Sequence, residues 1–122
     1  MEFQRLTHYP LPEQILDWAD KNGMLIITEA GNWGYQRPEL SNQRLQEVYK
    51  KQLKEMIESN WNHPSVIAYS VGNEYDSHTP AGINWTREMF AYIHTIDSTR
   101  LKTLVSNKLN HEFGNAENEA SY

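Results

Sequence analysis

The sequence predicts an α/β chain, a partial (β/α)8 barrel of parallel strands with the intervening helices. Three observations carry this. Short apolar runs at 24–28, 66–71 and 101–106 alternate with amphipathic stretches, and such repetition demands parallel strands joined by right-handed crossovers. No glycine-rich phosphate turn follows any of these runs, which weakens a doubly wound nucleotide-binding sheet. The chain has 122 residues, and eight βα units take ~250, so it makes about half a barrel. Half a barrel leaves two open parallel edges, which buried sheets tolerate poorly. The chain is therefore expected to be a piece of something larger.

The elements follow in order. Residues 2–6 complete a truncated strand. Pro12–Asn22 reads as a short helix, with proline in its first turn, Ile15, Leu16 and Ala19 on one face, and Gly23 placed as the C-cap. Met24–Thr28 is a buried strand. Residues 30–40, with Gly31, Gly34 and Pro38, read as a loop. Ser41–Ser59 is the clearest helix: Leu45, Val48, Tyr49, Leu53, Met56 and Ile57 recur at helical spacing, and Ser41 is the expected N-cap. Asn62-His63-Pro64 breaks it. Val66–Val71 is a second buried strand, Gly72–Gly82 a loop, and Asn84–Asp97 a helix with Met89, Phe90, Ile93 and Ile96 inward. Leu101–Ser106 is the last strand, and the polar stretch from Asn107 onward reads as loop.

Composition narrows the function classes. Eleven Lys+Arg against sixteen Asp+Glu give a net charge of −5, the wrong sign for a phosphate backbone, so nucleic acid is not an expected partner. The absence of cysteine removes disulfides, thiol catalysis and cysteine-ligated metals. No apolar run approaches the ~20 residues that cross a bilayer, so no membrane is expected. The N-terminus shows no basic region followed by an apolar stretch, and the compartment stays open.

In barrels, catalytic groups stand at the C-terminal ends of strands. Those positions hold Glu29, then Asn73 and Glu74, then Asn107, with Arg5, His8 and Tyr9 after the truncated first strand. Two carboxylates, an arginine, a histidine and two amides suit acid/base work on a hydroxylated substrate. Read from the residues alone, Glu74 pairs with Glu29 on the adjacent strand. The histidines, at 8, 63, 78, 94 and 111, form no i,i+4 pair, so no dedicated metal site is expected. Trp33, Trp61 and Trp85 are either sugar platforms or core anchors. Asn84-Trp85-Thr86 fits the N-glycosylation pattern.

The stretch Asn60-Trp61-Asn62-His63-Pro64-Ser65-Val66-Ile67-Ala68-Tyr69-Ser70-Val71-Gly72-Asn73-Glu74 closely resembles the acid/base signature of family 2 glycoside hydrolases, the β-galactosidases, β-glucuronidases and β-mannosidases. Arg5-Leu6-Thr7-His8-Tyr9-Pro10 is similar to that family's Arg-x-Ser-His-Tyr-Pro segment. Gly23–Ala30 resembles its third barrel strand, and Asp97-Ser98-Thr99-Arg100 the turn into its fifth. The resemblance covers nearly the whole chain, in order. It implies that residues 1–122 are a partial catalytic barrel domain of a larger multidomain enzyme, holding roughly strands two to five of the barrel. That enzyme would hydrolyse β-linked carbohydrate at the non-reducing end by a retaining mechanism.

Within it, the resemblance makes Glu74 the general acid/base, Asn73 and His8 sugar-binding residues, and Arg5 and Glu29 buried support for the pocket floor. Asn107, at the last strand end, joins the support group. The nucleophile, a second glutamate on the family's seventh strand, lies outside the chain; Glu112 is not placed to replace it. Tyr69 stands where the family usually has Trp, Ala68 where a larger apolar residue is usual, and Thr28 where Asp is common. Galactosidase-type magnesium ligands find no match in Gly31-Asn32-Trp33-Gly34, so no metal or cofactor is carried over. Two other readings compete: a non-catalytic fragment or assembly module, self-associating through its open sheet edges and inactive alone, and a different βα-barrel hydrolase that shares the Asn-Glu pair.

Overall fold

The computed structural model describes residues 2–108. Its elements are β1 (Glu2–Leu6), α1 (Glu13–Asn22), β2 (Met24–Glu29), α2 (Arg37–Leu40), α3 (Gln43–Asn60), β3 (Val66–Asn73), α4 (Pro80–Ile96) and β4 (Leu101–Val105). The four strands form one sheet in the order β1-β2-β3-β4, and every neighbouring pair is parallel. This order separates the two candidate architectures. Each crossover moves one strand further in the same direction, so right-handed connections place every helix on one face of the sheet. A doubly wound sheet reverses direction partway and covers both faces. The chain is a partial TIM barrel.

The covered face holds the core. Ile26, Tyr69 and Val71 of the sheet pack with Leu16 and Ala19 of α1, Leu53 and Ile57 of α3, and Met89 and Ile93 of α4. Tyr49 and Trp85 seat α3 against α4 with ring centroids 4.8 Å apart, and the Tyr49 hydroxyl donates to the Ala30 carbonyl at 3.2 Å. Strand alternation turns Phe3, Leu25, Ile27 and Leu101 to the opposite face, where Phe3 and Leu101 are exposed. No helix among the described residues is long and apolar enough to cross a membrane.

The strand ends away from Glu74 are tied by polar clasps. Arg100 donates from Nε to the Val66 carbonyl (2.7 Å), from Nη1 to Asp97 Oδ2 (2.7 Å), and from Nη2 to the carbonyls of Trp61 (2.7 Å) and His63 (3.2 Å). The Tyr69 hydroxyl also donates to Asp97, at 2.9 Å. Burial pushes the Asp97 carboxyl up, but the hydrogen bonds from Thr99, Arg100 and Tyr69 outweigh it and hold it well below the carboxylate range. Asp20, on α1, accepts from His63 Nδ1 at 2.7 Å and from the Ser65 backbone N–H at 2.9 Å.

Several expectations need correction. The 30–40 loop contains the short α2, started by a capping box between Gln36 and Glu39. The N-cap of α3 is Asn42, whose side chain accepts from the Leu45 N–H, and not Ser41, which closes α2. Pro12 is the residue before α1 rather than in its first turn, whereas Gly23 takes the left-handed C-cap position at φ 69° as expected. β3 runs on to Asn73, and α4 starts at Pro80 behind Thr79, so the Gly72–Gly82 loop is shorter than expected at both ends. Gly82 lies inside the helix because α4 is pressed onto the preceding turn: an added Cβ would meet the Asp76 carbonyl at 2.0 Å. Ile15 and Val48 are exposed. Phe90 and Ile96 are only partly buried against the core. The last strand ends at Val105, and the polar stretch from 109 onward, Glu112 included, lies outside the described residues.

Candidate active site

β1, β2 and β3 bring their C-terminal ends together, and with them four of the predicted residues. Arg5 and Glu29 stand on adjacent strands, where Arg5 Nη1 meets Glu29 Oε2 at 3.2 Å. Arg5 Nη2 donates to Asn73 Oδ1 at 3.0 Å. His8 Nδ1 lies 3.1 Å from Glu29 Oε1, and the Ser70 hydroxyl donates to Glu29 Oε2 at 2.7 Å. Glu29 is fully buried, while Arg5 and His8 keep about a quarter of their side chains exposed. A buried carboxylate needs donors on both oxygens, and Arg5, His8 and Ser70 supply them.

These contacts orient the groups that face outward. A carboxylate only accepts, so His8 Nδ1 carries the hydrogen and Nε2 of the neutral ring is left as an acceptor. Arg5 only donates, so Asn73 turns its oxygen inward and keeps its two N–H donors for another partner. Asn73 is also fixed by its backbone: its N–H donates to the Asn32 carbonyl at 2.8 Å, and its carbonyl accepts from Gly34 N–H at 2.9 Å. Trp33 forms a bridge with Asn73 and stacks on the His8 ring, with centroids 5.3 Å apart and planes 9° from parallel. The Thr7–His8 peptide is cis.

Glu74 follows directly. Its backbone N–H donates to the Val105 carbonyl at 2.8 Å, its φ is +55°, and its side chain is exposed. A left-handed glutamate is costly and persists where the surroundings impose it. Here both flanks are held: before it, the Asn73 N–H is bonded to the Asn32 carbonyl, and after it, the Asp76 N–H donates to the Tyr35 carbonyl at 2.9 Å.

The structure does not bring every candidate in. Asn107 is exposed two residues beyond β4, and its neighbours Ser106 and Lys108 turn instead to Ser77 and Asp76. Trp85 is a fully buried core ring; Trp33 and Trp61 are exposed. The glycosylation pattern sits within α4 with Thr86 fully buried, which closes it to a modifying enzyme in the folded chain. Ser70 and Asn32 belong to the site and were not anticipated. A hydroxyl inside the apolar 66–71 run was the available signal for Ser70; Asn32 had none, because its bonds, its carbonyl accepting from the Asn73 N–H and its Nδ2 donating to the Val71 carbonyl, join residues about forty apart. Asp17, Asp20 and His63 place one ligand atom each within 4.8 Å of one another, at the far end of β3. The hydrogen bond between His63 and Asp20 accounts for that cluster.

Residues 2–121 match the model of glycosyl hydrolases family 2, TIM barrel domain. Over 103 residues the chain is 30% identical to a β-glucuronidase from Pongo abelii, covering 84% of this chain and 16% of that protein. Over 96 residues it is 32% identical to a β-galactosidase from Thermoanaerobacterium thermosulfurigenes, covering 79% and 12%. Among solved structures, a GH2 β-galacturonidase from Eisenbergiella tayi bound to galacturonate superposes with a TM-score of 0.83 at 28% identity, over 88% of this chain and 19% of that one. The chain thus spans under a fifth of the length of these relatives. With parallel strands wound in one direction and a polar cluster at their C-terminal ends, the chain belongs to the glycosyl hydrolases family 2, TIM barrel domain.

Proposed function

We propose that the chain supplies the acid/base half of a retaining exo-β-glycosidase, which removes a sugar from the non-reducing end of a β-glycoside. The observation that carries this reading is the placement of Glu74. It is exposed and held in a left-handed backbone at the end of β3, immediately after an asparagine whose N–H donors Arg5 turns outward.

In the first step the Glu74 carboxyl donates its proton to the glycosidic oxygen as the bond to the anomeric carbon breaks, and the nucleophile carboxylate forms the new bond. In the second, Glu74 takes a proton from water, whose oxygen displaces the nucleophile. Asn73 Nδ2 donates to a sugar hydroxyl and His8 Nε2 accepts from another. Glu29 is unsuited to be the nucleophile, because both its oxygens are engaged by Arg5, His8 and Ser70. The two carboxyls of a retaining site stand ~5–5.5 Å apart on opposite sides of the anomeric carbon. The family resemblance puts the partner of Glu74 on the seventh barrel strand, outside this chain.

The test is Glu74→Gln in the full-length enzyme carrying this chain. Hydrolysis of an unactivated disaccharide should fall by about 10²–10⁴, while an activated aryl glycoside loses much less in the first step. Equal activity of mutant and wild type on the disaccharide would refute the assignment.

A second reading applies to the chain by itself, on the observation that among the described residues β1 and β4 are the edge strands of the sheet and that Phe3 and Leu101 lie exposed. The 122 residues alone self-associate through these edges and turn nothing over. Light scattering beside a chromogenic β-glycoside panel tests both parts: a monodisperse monomer defeats the first, and Glu74-dependent turnover defeats the second.

A further inference from the structure

We propose that Trp33 is a positioning residue for His8: its indole sets the plane of the imidazole, and so the aim of the Nε2 acceptor that His8 offers a sugar hydroxyl. This role rests on the acid/base reading of the site, in which His8 binds the sugar. The sequence leaves Trp33 as either a sugar platform or a core anchor. It is 59% exposed, so it anchors no core. Among the described residues its ring contact is the His8 imidazole, with centroids 5.3 Å apart and planes 9° from parallel.

The need for such a residue follows from how His8 is otherwise held. The last torsion of a histidine side chain turns a planar ring and has broad wells, so the rotamer does not fix the ring plane. Nor does the contact with Glu29. Nδ1 lies 3.1 Å from Glu29 Oε1, and a single hydrogen bond anchors one atom while the ring can still pivot about it. Glu29 thus decides which nitrogen carries the hydrogen and leaves the direction of Nε2 open. Burial does not clamp the ring either, since 28% of the His8 side chain is exposed. A flat ring laid nearly parallel on the imidazole resists the pivot: turning about Nδ1 would drive one edge of the imidazole into the indole and lift the other away from it.

The same loop separates this duty from the fixing of Asn73. Trp33 forms a backbone bridge with Asn73. The bonds beside it, from the Asn73 N–H to the Asn32 carbonyl at 2.8 Å and from the Gly34 N–H to the Asn73 carbonyl at 2.9 Å, run from backbone to backbone, and a change of the Trp33 side chain leaves them in place. One short segment after β2 therefore holds both sugar-binding residues, Asn73 with its main chain and His8 with one side chain. Removing the indole frees the second and spares the first.

The test is a double-mutant cycle in the full-length enzyme carrying this chain, read with a p-nitrophenyl β-glycoside that it hydrolyses. Trp33→Ala should lower kcat/KM about tenfold, the cost of a misaimed contact. Trp33→Phe, which keeps a flat face, should recover most of the loss, and Trp33→Leu should not. In the His8→Ala background Trp33→Ala should change kcat/KM less than about twofold, because residues that act through one another are not additive. Trp33 is exposed, so the change does not threaten folding. A crystal structure of the Trp33→Ala enzyme should show the imidazole turned about its Glu29 contact, with Asn73 unmoved. An imidazole still in its original plane, a Trp33→Ala or Trp33→Leu enzyme as active as wild type, or an undiminished loss without His8, as a sugar platform would give, overturns the proposal. These failures leave the disaccharide test of Glu74 standing. An enzyme that hydrolyses no β-glycoside defeats the acid/base reading instead, and the crystal comparison still decides whether Trp33 holds the ring.

Discussion

Replacing Arg100 by alanine removes the donor that joins the start of β3, the turn before it and the end of α4. Four hydrogen bonds go, three to backbone carbonyls and one to Asp97. The side chains of Arg100 and Asp97 are 14% and 6% exposed, so water replaces little of what is lost. Breaking one partner of a buried ion pair costs about 3–5 kcal/mol, and Tyr69 and Thr99, which still donate to Asp97, place the cost near the lower end, about 3 kcal/mol. Arg100→Lys keeps the charge but loses the planar fork that reaches four acceptors at once, and should cost about half as much. Urea unfolding at fixed protein concentration measures both. The acid limb gives a second reading. Asp97 is depressed in the folded state, so its stabilisation is fully present above the unfolded value of about 4 and is lost as pH falls through its lower folded value. Arg100 is one cause of that depression, so the alanine variant should lose less stability than wild type between pH 4 and 2. A lysine variant as stable as wild type, or an alanine variant with an unchanged acid limb, would refute the reasoning.

Gly72→Ala should destabilise by about 1–3 kcal/mol, because its Cβ would lie 2.7 Å from Asn32 Nδ2 and 2.9 Å from Tyr75 Cδ1; an unchanged urea midpoint contradicts this. Glu74→Gly should be slightly more stable than wild type. Relief of the left-handed backbone, ~1–2 kcal/mol, exceeds the entropic cost of glycine, ~0.5–1 kcal/mol, and thermal unfolding checks the sign. Glu29→Gln should move the His8 proton from Nδ1 to Nε2, since an amide that keeps its oxygen on Arg5 and Ser70 turns a donor toward the imidazole; ring ¹⁵N shifts distinguish the two tautomers.

The fold was legible where local signals coincided with burial. Gly23 closing α1 and the strands at 24–28 and 66–71 needed no tertiary knowledge. Misreadings arose where a local signal was overruled. Gly82 marked a loop by composition, yet it is the residue that lets α4 seat on the Asp76 turn; Thr79-Pro80 was the correct start signal. Ser41 and Asn42 are both good caps, and the short α2 ahead of them decided between them. The site was legible as a set of strand ends, because Arg5, Glu29 and Asn73 occupy positions that topology alone brings together. Its internal wiring was not. The contacts of Glu29 with Arg5 and Ser70 span 24 and 41 residues, and no local pattern encodes them. Asn107 was read by the same strand-end rule, but the last strand stops short and its neighbours turn toward the Ser77 loop.

The register between β3 and β4 has a consequence for how this site can change. Ser70 faces Thr103, and Asn73 faces Val105, so three steps along β3 match two along β4. In an unbroken strand, side chains three apart point to opposite faces, yet Ser70 and Asn73 both serve the Glu29–Arg5 pair. The additional residue corrects the parity. A one-residue deletion within 71–72 would therefore turn the bulge into a plain two-against-two match with β4 and leave Asn73 on the face of Ser70, so the bulge can be lost without sending Asn73 behind the sheet. Conversely, the lower part of β3 is placed by the core, whereas Asn73 and Glu74 take their positions from Asn32, Gly34 and Val105. The two parts answer to different neighbours, so the core can be repacked over evolutionary time while Glu74 stays where it is.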